Sequence, residues 1–350
     1  AKHADLTALR RLPITSVTLA LMALDIGPGD EVLVPTFTFF ATAGCVSRVG
    51  ATPVFVDSCP VCFNIDLADA KAKITLKTKA IIPVHLFGQS ADMDGVTALA
   101  QEHDLRIIED AAQAIGARYR DKSCGTIGEF GTYSFFPSKN LGGFGDSGAL
   151  VTQDDALAEK ARILRNHGMQ PKYYHHSIGG NFRIDALQSA MLRVKIPHYS
   201  EYTIGRQRNA ARYLEQLSQL PGVAQANPAH CHCAASQEIW AVENGVQIIL
   251  PTAYAHNEHI WNQFTLRVLG EGRRDALKQH LIDLKIGCEI YYPLTLDQQQ
   301  CFQYLPDSSR LGCGTAHRLA QEVLSIPIYA ELTDAQLEEV IAGITGFVAA

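Results

Sequence analysis

The sequence lacks any apolar run long enough to span a bilayer, and its opening residues, AKHADLTALRRL, do not have the pattern of a secretory signal. The expectation is a cytoplasmic chain with no membrane partner. It also lacks an excess of basic charge. A formal net charge of −6 argues against nucleic acid as the main partner, though not against a local basic pocket for an anionic substrate. Internal repeats and low-complexity tracts are absent, which removes solenoid and linker architectures. The nine cysteines are odd in number and scattered, so they read as reduced thiols rather than a disulfide framework. What remains is a chain of 350 residues, 47% hydrophobic, enough for a sizeable core in one large domain or two unequal ones.

The first two thirds alternate compact apolar runs with helical stretches. EVLVP (Glu31–Pro35), PVFVD (Pro53–Asp57), AIIPVH (Ala80–His85) and RIIED (Arg106–Asp110) read as buried strands, and Asp92–His103 as a helix between two of them. Such alternation predicts an α/β fold with a mainly parallel sheet and helices on both faces. Active residues are then expected just past the C-terminal strand ends, where Asp57, His85 and Asp110 fall. Asp154–Asn166 and Asp185–Val194 read as further helices. From about residue 227 the character changes to an irregular stretch, an alternating strand (His259–Val268), a helix near Arg274–Leu284 and a last helix from Asp334. This predicts a large domain over 1–226 and a smaller α+β domain over 227–350.

Between Ile107 and Val151 stand an acid (Asp110), a hydroxyl (Ser134) and an amine (Lys139), set in apolar and glycine-rich sequence. These are the parts needed to hold pyridoxal phosphate. An amine condenses with an aldehyde, a hydroxyl donates to a phosphate, and a carboxylate keeps a pyridine nitrogen protonated. Each residue also has a plainer reading. Asp110 can cap a helix after its strand, and Lys139 can be a solvated loop lysine. Gly142, Gly143, Gly145 and Gly148 can make a flexible turn or admit a ligand to the backbone.

Taken together, GDEVLVPTFTFFATA, GATPVFVD, PVHLFGQ, EDAAQA, FGTYSFFPSKNLGGFGDSGALVT, GGNFRIDALQSA, YYPLTL and VLSIPIYAELTD resemble the DegT/StrS sugar aminotransferases, within the fold-type I pyridoxal-phosphate enzymes. The similarity runs from Leu19 nearly to the C-terminus. It implies that Lys139 carries the cofactor, Asp110 faces its ring nitrogen and Gln113 lies beside its ring hydroxyl. It further implies that Ser134 holds the phosphate and Phe39 stacks on the ring. Asn181 is implied to reach the phosphate of a neighbouring subunit, making at least a homodimer with shared sites. His167 and Arg183 become substrate or cofactor neighbours, and Tyr291 and Tyr292 fall near the sugar-nucleotide entrance. The implied reaction moves an amino group from glutamate or glutamine to a nucleotide-linked keto-sugar. A related branch with histidine at the Schiff-base position dehydrates its substrate; the lysine here favours transamination.

The resemblance fails at one place. The family's Gly-Thr/Ser-x-Ala phosphate turn aligns with Pro13, Ile14, Thr15 and Ser16. Proline has no amide hydrogen and Ile14 no hydroxyl, so Thr15 and Ser16 are left to substitute. The helical segment that precedes this turn in the family is not seen either. The break over residues 5–18 is abrupt enough to suggest compensating frameshifts, and a native change there predicts weaker cofactor binding. It also keeps open a catalytically impaired member with a regulatory role, beside a sugar dehydratase. Other signals are slight. Cys59-Pro-Val-Cys62 and His230-Cys231-His232-Cys233 have metal-like composition without a second pair at ribbon spacing, and no metal is expected. The glycines of Ile26–Glu31 follow a helix, and so end it rather than bind a dinucleotide.

Overall fold

A computed structural model describes residues 16–226 and 245–349. Pro13, Ile14, Thr15 and the run His230–Cys233 lie outside the described residues. The chain opens with α1 (Ser16–Ala23), β1 (Glu31–Pro35), α2 (Ala41–Arg48), β2 (Thr52–Val56), α3 (Leu67–Ala72), β3 (Thr78–Ile81), α4 (Met93–His103) and β4 (Arg106–Asp110). A short hairpin, β5 (Arg118–Tyr119) and β6 (Lys122–Ser123), leads into β7 (Phe130–Ser134) and β8 (Gly148–Val151). The main sheet runs β2-β1-β3-β4-β7-β8, with only the β7–β8 pair antiparallel.

Side-chain alternation explains the layers. Val32, Val34, Ala80, Ile82 and Ile108 point to one face and pack on α1 and α2. Leu33, Ile81 and Ile107 point to the other and meet Ala70 of α3 and Val96 and Leu99 of α4. Helix α1 is apolar on every side (SVTLALMA) and is correspondingly buried. Asp92 caps α4 by accepting from Gly95 N at 3.2 Å, as its position before the helix predicts. Past α1, Ile26 N returns to Leu21 O at 3.0 Å and Gly29 takes φ 94°, so the glycines here do end a helix.

The second part comprises α5 (Asp155–Arg165), α6 (Ala186–Lys195), α7 (Tyr199–Leu217), β9 (Val223–Gln225), β10 (Ile248–Leu250), β11 (Asn257–Glu258), β12 (Phe264–Val268), α8 (Arg273–Asp283), α9 (Asp307–Arg310), α10 (Gly314–Glu322), β13 (Val323–Ile326) and α11 (Asp334–Ala349). A four-stranded sheet, β13-β12-β10-β9, shares a core with Tyr213 of α7, Leu277 of α8 and Leu337 of α11. Position 226 thus falls between two strands of one sheet, and α7 packs with strands and helices of the C-terminal half. The expected strand over 259–268 is shorter: Trp261 at φ 51° breaks it, and only 264–268 pair.

Candidate active site

The C-terminal strand ends bring the expected residues to one edge of the main sheet. Asp110 closes β4 and is buried. Its Oδ1 accepts from Ala112 N at 3.1 Å and its Oδ2 from Thr42 Oγ1 at 2.8 Å. No helix follows it; residues 112 and 113 form a turn, so the capping alternative falls. Lys139 sits half-buried in the turn after β7, its backbone N–H bonded to Phe136 O at 2.8 Å. Burial pushes the Lys139 amine below its ordinary value, and the negative charge of Asp110 partly opposes this. It is therefore not a solvated loop lysine.

The glycines after Lys139 serve packing. A Cβ on Gly142 would overlap the Pro137 carbonyl, and one on Gly143 or Gly145 would come within 2.9 or 2.8 Å of the Gln188 amide on α6. Neither a loose turn nor an approach to ligand is needed to explain them.

Gln113 is fixed from two sides. Its Oε1 accepts from Phe87 N at 2.7 Å, and its Nε2 donates to Tyr292 Oη at 3.3 Å. Tyr292 consequently lies deeper than an entrance residue. Burial, and then the charge of Asp110, push its hydroxyl far up, so it stays protonated. Tyr291 stays nearer the surface, next to Glu289. Phe39 is 60% exposed, with its ring 6.4 Å from that of Tyr292. Ser134 ends β7, and its Oγ accepts from Phe136 N at 3.3 Å, which leaves its own proton to donate. Ser16 is the first residue of α1 and is buried.

Three expected residues share one loop. His167, Asn181 and Arg183 belong to one exposed loop, in which Asn166 pairs with Asn181 and Arg183 Nη1 donates to Asn166 Oδ1 at 2.6 Å. Among the described residues, the hydrogen bonds of these three stay local to that loop and do not reach Asp110, Gln113 or Lys139. Two strand-end residues are structural. Asp57 accepts from Thr315 N and Ala316 N at the start of α10. His85 accepts from Ala91 N on Nδ1, so Nε2 carries the proton given to Glu109 at 2.9 Å. Burial pushes the Glu109 carboxyl up, but His85 and the amides of Gly128 and Gly125 outweigh it and hold it below the usual range. Cys59 and Cys62 are buried, and among the described residues no group of three or more His, Cys, Asp or Glu side chains is placed to hold a metal.

The residues present fit pyridoxal phosphate. Burial favours the neutral, nucleophilic amine. A carboxylate with lone pairs to spare stands within its field, a hydroxyl is free to donate, and an aromatic ring is open on one face. Sequence reasoning missed Thr42, which stands in the first turn of α2, three residues past Phe39.

An α/β sheet with this constellation at its C-terminal edge defines a fold-type I pyridoxal-phosphate transferase. The solved S. venezuelae protein DesV, in complex with a ketimine intermediate, superposes with a TM-score of 0.84 at 37% identity, covering 97% of this chain and 84% of that one. The model of the DegT/DnrJ/EryC1/StrS aminotransferase family matches residues 15–345, and the chain belongs to that family. It is 44% identical to the UDP-N-acetyl-3-dehydro-alpha-D-glucosamine 3-aminotransferase of Acidithiobacillus ferrooxidans, over 93% of this chain and 79% of the relative. It is also 44% identical to a pleiotropic regulatory protein of Geobacillus stearothermophilus, over 95% of this chain and 82% of the relative. The protein is an aminotransferase, and its cofactor is pyridoxal 5′-phosphate.

Proposed function

We propose that the enzyme transfers an amino group from glutamate or glutamine to a keto-sugar carried on a nucleotide, with Lys139 as the catalytic amine. Relatives named for UDP- and dTDP-linked sugars support that substrate class. Pyridoxal phosphate, when bound, supplies the aldehyde that takes up the amino group and the ring that accepts the electron pair of the substrate carbon. The chain does the rest. Lys139 Nζ would hold the aldehyde and, once displaced from it by the incoming amine, would be free to carry the proton between carbons. Asp110 would keep the ring nitrogen protonated, Gln113 would orient the ring hydroxyl, and Phe39 would cover one face. Ser134 and Ser16 would donate to the phosphate. The observation that carries this reading is the half-buried Lys139 in the turn after β7, with buried Asp110 at the end of the neighbouring β4 close enough for its charge to act on the amine.

The test is a panel. Purified protein loaded with pyridoxal phosphate is mixed with glutamate or glutamine and then with UDP- or dTDP-linked keto-sugars. Amino-sugar product by mass spectrometry is expected, and product from none of them would sink the substrate assignment. Ser134→Ala should weaken cofactor binding about 10- to 100-fold, as loss of one hydrogen bond to a charged group implies. Equilibrium titration of the cofactor-free protein measures it, and an unchanged affinity would remove Ser134 from the phosphate site.

We also place a second copy of the chain over the loop that carries Asn181. Tyr173, Tyr174 and Ile178 there, and Leu187 in the first turn of α6, are 76%, 65%, 92% and 76% exposed, more apolar surface than a solvated segment retains without reason. A regulatory role is a second reading, favoured by the name of the Geobacillus relative.

A further inference from the structure

Thr42 is fully buried in the first turn of α2, and its hydroxyl bonds Asp110 Oδ2 across 68 positions of sequence at 2.8 Å. A helical threonine can return its hydroxyl to the carbonyl of its own preceding turn. This one is given to Asp110 instead. The backbone N–H of Thr42 bonds Phe39 O at 3.3 Å, so the turn that carries Phe39 is tied to the residue that holds Asp110. Three residues on, Cys45 lies on the same side of α2. Its thiol is pushed up by burial, with the charge of Asp110 adding to the effect.

An ionised carboxylate has about four acceptor positions. One on Oδ1 is taken by Ala112 N, a bond the turn always supplies, and one on Oδ2 by Thr42. Lys139 is close enough to feel the charge of Asp110, yet no ion pair within 4.0 Å joins them. A carboxylate released from α2 would be free to rotate toward that amine. Pairing would hold the amine protonated and occupy the oxygen needed at the ring nitrogen.

We propose that Thr42 is the positioning residue of this site: by holding Oδ2 it keeps Asp110 available to the cofactor and out of ion-pair contact with Lys139. The proposal rests on the roles given to Asp110 and Lys139 above. Thr42→Val keeps the branched shape and removes the donor, whereas Thr42→Ser keeps the donor.

Two measurements test it on the full chain. In the cofactor-free protein at pH 8, acetylation of Lys139, followed by peptide mass spectrometry, should be several-fold slower in Thr42→Val and near wild type in Thr42→Ser. In the loaded enzyme, the single-turnover rate with glutamate should fall about 10-fold or more in Thr42→Val, with less than about 3-fold change in the glutamate concentration at half-maximal rate. Thr42→Ser should restore it. Wild-type labelling and turnover in Thr42→Val, with Asp110→Asn labelling faster and turning over slowly, would overturn the proposal alone. If Asp110→Asn is also wild type in both, the role given to Asp110 fails instead.

Discussion

Lys139→Met is expected to lower transamination by about 10³-fold or more, because it removes both the condensing amine and the proton carrier. Stopped-flow absorbance with glutamate checks this, and a borohydride-reduced wild type should carry the cofactor mass on the peptide containing Lys139. Residual turnover within tenfold of wild type would place the chemistry on another amine. The same substitution has a second consequence of opposite sign. Burial lowers the Lys139 proton affinity in the folded chain below its ordinary value near 10.5. The native state then binds fewer protons than the unfolded state between those two values, so stability from this group rises with pH across that window. The burial penalty is fully present below the folded value and gone above the unfolded one. Methionine keeps the stem and carries no charge. The cofactor-free variant should therefore melt no lower than cofactor-free wild type at pH 7, with any advantage shrinking toward pH 10. A lower melting temperature at pH 7 would show that the amine stabilises the fold, contrary to the desolvation argument.

Much of this architecture was legible because single strands announce themselves. EVLVP and RIIED are short, β-branched and bounded by turn or acid, and both match the observed strands residue for residue. Asp110 was legible because it closes such a strand, where an α/β sheet puts its chemistry; Lys139 was legible from its spacing after Ser134, and Gln113 only through the family resemblance. Long-range partners were not legible. Nothing local joins Thr42 to Asp110, or Gln113 to Tyr292 across 179 positions; the sheet order β1-β3-β4 and the return of the chain near Tyr292 bring them together. Asp57 and His85 misled for a related reason. Strand-end position marks where polar groups gather, but a partner can be structural, and theirs are the amides of α10 and the buried Glu109. The alternation in His259–Val268 misled because period alone does not register a left-handed residue at Trp261.

Asn181 separates a site built in one chain from a site built by two. Within one chain its side chain accepts from Arg183 N at 3.5 Å, and its backbone bridges Asn166; neither contact involves the Lys139 turn. If a partner's Asn181 completes the phosphate site, Asn181→Ala and Lys139→Met each give inactive homodimers. Mixed after partial denaturation and reassembly, they form hybrids in which one of the two sites takes Lys139 from one chain and Asn181 from the other. Random assembly makes half the dimers hybrid, and one intact site in each restores about a quarter of wild-type activity. Were Asn181 to act within its own chain, every site would carry a defect from one chain or the other, and mixing would restore nothing. Light scattering on the same samples should give twice the chain mass, and a monomer that turns over at the wild-type rate would remove the second copy from the site. The exposed face is open to the same test: Ile178→Glu should break the dimer and lower activity to the level of Asn181→Ala, although it touches no reacting atom.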